Sequence, residues 1–97
     1  MKKAISLYLI GNPDYRCWKI GITRNLPERI KQIQNGVPFS VGIFDCHEMP
    51  DWETAKRFER QLHGRYASAR LRGEWFDQVD AVDFRVSAEG LLLHGGI

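Results

Sequence analysis

The chain has 97 residues, of which 43% are hydrophobic and 27% charged, a balance that excludes a disordered chain and leaves room for one core but no second catalytic lobe. Net charge is only +2, yet Lys and Arg gather at Lys2, Lys3, Arg24, Arg29 and Lys31 and again at Arg65, Arg70 and Arg72, where a polyanionic partner would feel the clusters more than the sum. Cys17 and Cys46 lack CxxC or zinc-type spacing, with His47 beside Cys46 short of a ligand set, and no leader or long apolar run is evident; two reduced thiols in a cytoplasmic protein without a membrane span are expected.

Ala4 to Ile10 is an apolar run closed by the turn residues Gly11-Asn12-Pro13-Asp14, which reads as a strand. Arg16 to Thr23 alternates Cys17, Lys19 and Gly21 against Trp18, Ile20 and Ile22, so a second strand pairs antiparallel with the first. The alternation puts Trp18 on the face away from Lys19, in the core. Asn25 then caps a helix, with Glu28 completing a capping box, Pro27 in its first turn and Asn35-Gly36 as its stop. Leu26, Ile30 and Ile33 form its buried stripe, and Arg29 sits about 100° around from Ile30, at the edge of that face.

Phe39 to Glu48 reads as a third strand, with Val41 and Ile43 on one side and Phe44 and Cys46 on the other. Asp51 caps a long helix expected to run to about Ser68, with Ala55, Phe58, Leu62, Tyr66 and Ala69 as core stripe. Glu59 and His63, one turn apart, flank that stripe together and are placed to share a proton, a water or a metal ion. Arg70 to Phe76 reads as a basic loop whose Trp75 and Phe76 dock beneath the long helix. Asp80 to Ile97 holds a final helix and ends in Gly95-Gly96. Residues 1–78 are thus expected to form the main domain and 79–97 a helical segment packed on it.

At this point the sequence resembles the GIY-YIG nuclease superfamily over roughly residues 4–78. Ser6-Leu7-Tyr8 stands at the first motif, Lys19-Ile20-Gly21 at the second, Arg29 at the helix arginine and Glu59 at the metal-binding glutamate. Lys19-Ile20-Gly21, Glu59 through Leu62-His63, and Gly73-Glu74-Trp75-Phe76 look most like the branch named after a meiotically up-regulated gene product and a phage open reading frame. The resemblance implies an α+β fold with a small three-stranded antiparallel sheet flanked by helices, and hydrolysis of nucleic-acid phosphodiesters with one divalent cation, Mg²⁺ or Mn²⁺. Two positions depart from the superfamily pattern: the first motif reads Ser-Leu-Tyr, and no Asn follows Glu59.

The residue chemistry agrees. An attacking water must lose a proton, and negative charge growing on the phosphate must be met. Tyr8 is the candidate base, but a phenol with an ordinary pKa near 10 needs a positive neighbour to act at neutral pH, and Lys19 on the paired strand is expected to supply it. Arg29 would hold a non-bridging phosphate oxygen with its planar fork, and Glu59 would bind the cation, which accepts one carboxylate plus waters and phosphate oxygens. His63 is a catalytic candidate with three open readings: a donor behind the metal, a leaving-group acid, or a half-buried histidine. Glu74 either pins its loop through Arg70 or Arg72 or approaches the metal. Arg24, Lys31, Arg70 and Arg72 are candidate backbone contacts.

The leading expectation is therefore a metal-dependent endonuclease acting on DNA, with RNA as the alternative substrate. A lone module of this size should show weak sequence specificity, structure-selective cutting, or activity as a homodimer. Two other readings stand beside it: a non-catalytic nucleic-acid-binding module of the same fold, and a phage-type protein-interaction or host-inhibitory factor.

Overall fold

In the computed structural model, which describes residues 4–93, the chain forms an α+β fold with one five-stranded antiparallel sheet and three α-helices. Lys2 and Lys3 of the first basic cluster and the terminal Gly95-Gly96 lie outside the described residues. Strands β1 (Ile5–Asn12) and β2 (Cys17–Thr23) pair antiparallel with Leu9 opposite Ile20 and Tyr8 opposite Gly21. Their connection is a single 3₁₀ turn, Pro13–Tyr15, opened by the Asn12 side chain accepting from the Asp14 amide. Helix α1 (Leu26–Asn35) follows, its N-terminus closed by Asn25 accepting from the Glu28 amide. Strand β3 (Gly42–Met49) returns to pair with the other edge of β1, and helix α2 (Trp52–Arg65) starts from the Asp51 cap.

The expected three-stranded sheet is corrected to five strands in the order β3-β1-β2-β5-β4. The extra pair comes from the segment read as a basic loop. Arg70–Arg72 (β4) and Trp75–Phe76 (β5) form a tight hairpin turned by Gly73, whose φ of 57° is a conformation that glycine adopts without penalty. This hairpin docks on β2, with Lys19 opposite Trp75 and Trp18 opposite Phe76. Arg16 ties its far end to Asp77 at 3.1 Å. Helix α2 also ends earlier than expected, at Arg65, and the chain through Ala67–Ala69 tightens into a 3₁₀ turn.

The two faces of the sheet are covered differently. Helix α2 and helix α3 (Ala81–Leu93) lie on one face, where Leu7, Leu9, Trp18, Ile20, Phe58, Leu62, Phe76 and Phe84 form the main core. Helix α1 covers the other with a small apolar cluster of Tyr8, Ile10 and Ile33, against which Leu26, Ile30, Val41 and Trp75 pack. The period-two alternation of the strands makes this division. It also corrects the placement of Trp75, which lies on the α1 face while its neighbour Phe76 enters the core.

Strand β3 departs from its expected apolar alternation. The register against β1 slips between Leu9 and Ile10, so Phe44 is left as an extra residue, and both Ile43 and Phe44 are exposed. Among the described residues the buried polar one is Asp45, which sits 2.8 Å from His47 Nε2 and 2.9 Å from Arg85 Nη2 of α3. Those two partners more than offset its burial and hold the Asp45 carboxyl below the usual range. Helix α3 is fixed at its other side by Asp83, which accepts from Arg65 at 2.6 Å and from the Tyr66 hydroxyl at 2.6 Å.

A candidate active site on the α1 face

Tyr8 stands on the central strand, fully buried, with its ring laid across the α-carbon of Gly21 on β2. A Cβ at position 21 would come within 2.6 Å of Tyr8 Cζ, closer than carbon atoms approach, so the glycine of the Lys19-Ile20-Gly21 motif is what makes room for the tyrosine of the first motif. The two motifs are one packed unit. Arg29, in the first turns of α1, donates from Nε to the Tyr8 hydroxyl at 3.1 Å and from Nη1 to Gln32 Oε1 at 3.3 Å.

Glu74 completes the cluster from the hairpin. Its backbone carbonyl accepts from the Ile20 amide at 3.4 Å, and its carboxylate Oε2 lies 3.6 Å from Lys19 Nζ and 3.7 Å from Arg29 Nη2. Lys19 Nζ also lies over the Trp75 ring, 4.8 Å from its centroid. Glu74 thus pairs with the two cations of the site rather than with Arg70 or Arg72. The sequence contained the signal: a two-residue Gly-Glu connection between Arg72 and Trp75 is a hairpin pattern, and a hairpin edge on β2 puts residue 74 beside Lys19.

The electrostatics reassign the partner of Tyr8. Burial pushes its pKa above the ordinary phenol value, the Arg29 hydrogen bond and charge pull it back, and the Glu74 and Glu59 charges push it up again. Lys19 is turned to Glu74, and Arg29 is the cation that touches the phenol. Burial, more than any neighbour, lowers the Lys19 pKa from its usual value, with Arg29 adding to the effect and Glu74 opposing it.

Glu59 comes from α2, and its charge bears on both Tyr8 and Arg29. Its carboxyl is pushed above the usual range first by burial and then by Glu74, while His63, Lys56 and Arg29 pull it down. A carboxyl raised by the charge of a second carboxylate marks a place where a cation would be stabilised. Among the described residues no group of three or more His, Cys, Asp or Glu side chains stands together to hold a metal ion. That suits Mg²⁺, which keeps most of its waters and shares phosphate oxygens, and does not suit an all-protein cage.

His63 is occupied at both ring nitrogens. Nε2 donates to the Ile20 carbonyl at 2.9 Å, and Nδ1 accepts from Arg70 Nη2 at 3.1 Å, so the ring is in its Nε2–H tautomer and ties α2 to β2 next to Lys19. Arg70 is drawn to His63 and to the Phe76 ring, 5.6 Å from its centroid. Arg24 lies over Trp52 at 4.4 Å, away from the tyrosine, while Lys31 on α1 and Arg72 on β4 are exposed. The structure brings together Tyr8, Lys19, Arg29, Glu59 and Glu74, and leaves Arg24, Lys31 and Arg72 outside that cluster.

Among the described residues no helix is long and apolar enough to cross a membrane. No curated protein and no solved structure matches the chain. The family model described as the T5orf172 domain matches residues 5–89, nearly the whole length, and the protein belongs to the T5orf172 domain family.

Proposed function

We propose that this protein is a metal-dependent endonuclease of the GIY-YIG type that hydrolyses DNA phosphodiester bonds. The observation that supports the reading best is the hydrogen bond from Arg29 Nε to the buried Tyr8 hydroxyl, because it joins a candidate base to a candidate phosphate ligand on adjoining elements. Glu59 is the residue to hold Mg²⁺ or Mn²⁺, which when bound supplies positive charge beside the phosphate and lowers the pKa of water.

Arg29 binds a non-bridging oxygen through the guanidinium edge now facing Glu74, where a planar fork stabilises charge that develops in the transition state. Tyr8 takes the proton of the attacking water; its phenolate is stabilised by the same Arg29. Because burial and the two carboxylates hold the Tyr8 pKa above the ordinary phenol value, only a small phenolate fraction exists at pH 7, and it grows about tenfold per pH unit. Lys19 holds Glu74 in place and neutralises it, which keeps a second negative charge from opposing the incoming phosphate. His63 acts as a positioning residue, since both of its ring nitrogens are engaged within the protein.

The test is nicking of supercoiled plasmid by purified protein with Mg²⁺ or Mn²⁺. Cleavage by the parent chain and its loss in Glu59→Ala supports the enzyme. A second reading, a phosphate-binding module that does not cleave, is favoured by the complete burial of Tyr8, the candidate base. Salt-dependent DNA binding without cleavage under either metal would select that reading.

A further inference from the structure

Helix α2 carries a groove of about 530 Å³ on its outward side, lined by Lys56, Glu59, Arg60, His63 and Arg70. Its lining runs along the helix from Lys56 through Glu59, whose charge bears on Tyr8 and Arg29, and Arg60 to Arg70 at the hairpin. Gly64 and Ala67 also line it, and a Cβ at position 64 would meet nothing within 4 Å, so small residues leave space there.

The charge in this groove is of one kind apart from Glu59. Elsewhere three arginines are matched, Arg16 with Asp77, Arg65 with Asp83 and Arg85 with Asp45, while Arg24 lies over Trp52 and Arg72 stands exposed. Among the described residues, Lys56 and Arg60 form no ion pair with a carboxylate, and Arg70 is held by neutral partners, His63 and Phe76. Three cations without a carboxylate within 4 Å, facing one concave strip beside the candidate active site, form a binding surface for a chain of phosphates. A single phosphate would need only one or two of them; the spacing of Lys56 and Arg60, four residues and about 6 Å apart along the helix, with Arg70 beyond, suits successive phosphates of one strand.

We propose that the α2 groove seats the nucleic-acid backbone next to the scissile phosphate, with Lys56, Arg60 and Arg70 as its phosphate contacts. The placement beside the scissile bond rests on the nuclease reading; the groove as a backbone site does not. It makes α2 rather than α1 the main electrostatic track.

The experiment is equilibrium binding of fluorescent 20-nucleotide single-stranded and 20-base-pair duplex DNA over a salt series, without divalent metal, so that it is read independently of cleavage. Replacing two phosphate contacts in Lys56→Gln/Arg60→Gln should weaken binding and reduce the slope of log K against log salt by about 1.8 on duplex and about 1.4 on single strand. Arg70→Gln alone should reduce it by about half as much. Arg16→Gln, at a guanidinium already paired with Asp77, should leave it within error. An unchanged slope in the double variant would overturn the groove even if the parent protein cuts DNA. A reduced slope in a protein that never cuts would keep the groove and remove the nuclease.

Discussion

The same strands present two unlike faces. On the α2 and α3 side, alternate residues Leu7, Leu9, Ile20 and Phe76 join Phe58 and Phe84, all essentially inaccessible, in a continuous apolar core. One residue along each strand, on the α1 side, stand Tyr8, Lys19 and Trp75, with Arg29 and Glu74 above a cluster whose buried members number only three. Apolar burial on the first face supplies most of the stability, at roughly 25 cal/mol per Å², and lets the second carry charges whose partial desolvation would be hard to sustain alone. Stability and chemistry are therefore separable by side chain, though the two sets are adjacent in sequence.

Truncation on the two faces should show that separation most sharply. Phe58→Ala, in the core, is expected to cost about 3–5 kcal/mol in urea unfolding, because both the transfer free energy and the cavity are lost. Tyr8→Phe keeps the ring and removes only the hydroxyl that Arg29 contacts, so its stability cost should be about 0.5–1.5 kcal/mol. Its effect on plasmid nicking should be a fall of roughly 10²–10⁴-fold. A Tyr8→Phe protein that nicks at the parent rate would take the phenol out of the reaction and leave it a packing residue.

Gly21→Ala lies between the faces in effect. The new methyl group would meet the Tyr8 ring at Cζ, and neither the ring nor the central strand beneath it has room to give. We expect about 1–3 kcal/mol of destabilisation together with impaired nicking, since the ring that must move carries the hydroxyl proposed as the base. Full nicking activity with unaltered unfolding would show that the close fit of the two motifs has no consequence.

The sequence made the first two strands, both capped helices and the burial of Phe58 and Leu62 legible, because each is set by local chemistry: alternation, Asn25 and Asp51 at the N-termini, and helical spacing. What it hid depends on long-range pairing. Trp75 and Phe76 are neighbours in a short segment, and only their pairing with Lys19 and Trp18 decides that one faces the site and the other the core. The Tyr8 hydroxyl meets Arg29 rather than Lys19 for the same reason, since Glu74 approaches from a hairpin read as a loop and pairs with the ammonium. On β3, the irregular register beside Leu9 and Ile10 is invisible to any local pattern, and it exposes Ile43 and Phe44 while burying Asp45.

The alkaline side of the activity profile reports the α1 face. With Tyr8 held above its ordinary value by burial, nicking should rise about tenfold per pH unit from pH 7 to 9, and the Lys19→Met protein should keep that slope because Arg29 is the residue in contact with the phenol. A flat profile in the parent chain would point to a base other than Tyr8.

The acid side reports the core face, through the smallest of these effects. Arg65 and Tyr66 hold the Asp83 carboxyl down to about 2, where an unfolded aspartate titrates near 3.9. A depressed folded pKa means that the ionised form favours the folded chain, so the contribution is complete above about pH 4 and is lost as the pH falls towards 2. Asp83 is partly solvent-exposed, which limits the contribution to about 1 kcal/mol or less. Thermal unfolding of Asp83→Asn between pH 2 and 5 should accordingly fall less steeply with acid than that of the parent protein, while its nicking activity at pH 8 stays the same. Equal acid slopes would mean that the Arg65, Tyr66 and Asp83 contacts fix the position of α3 without contributing to its stability.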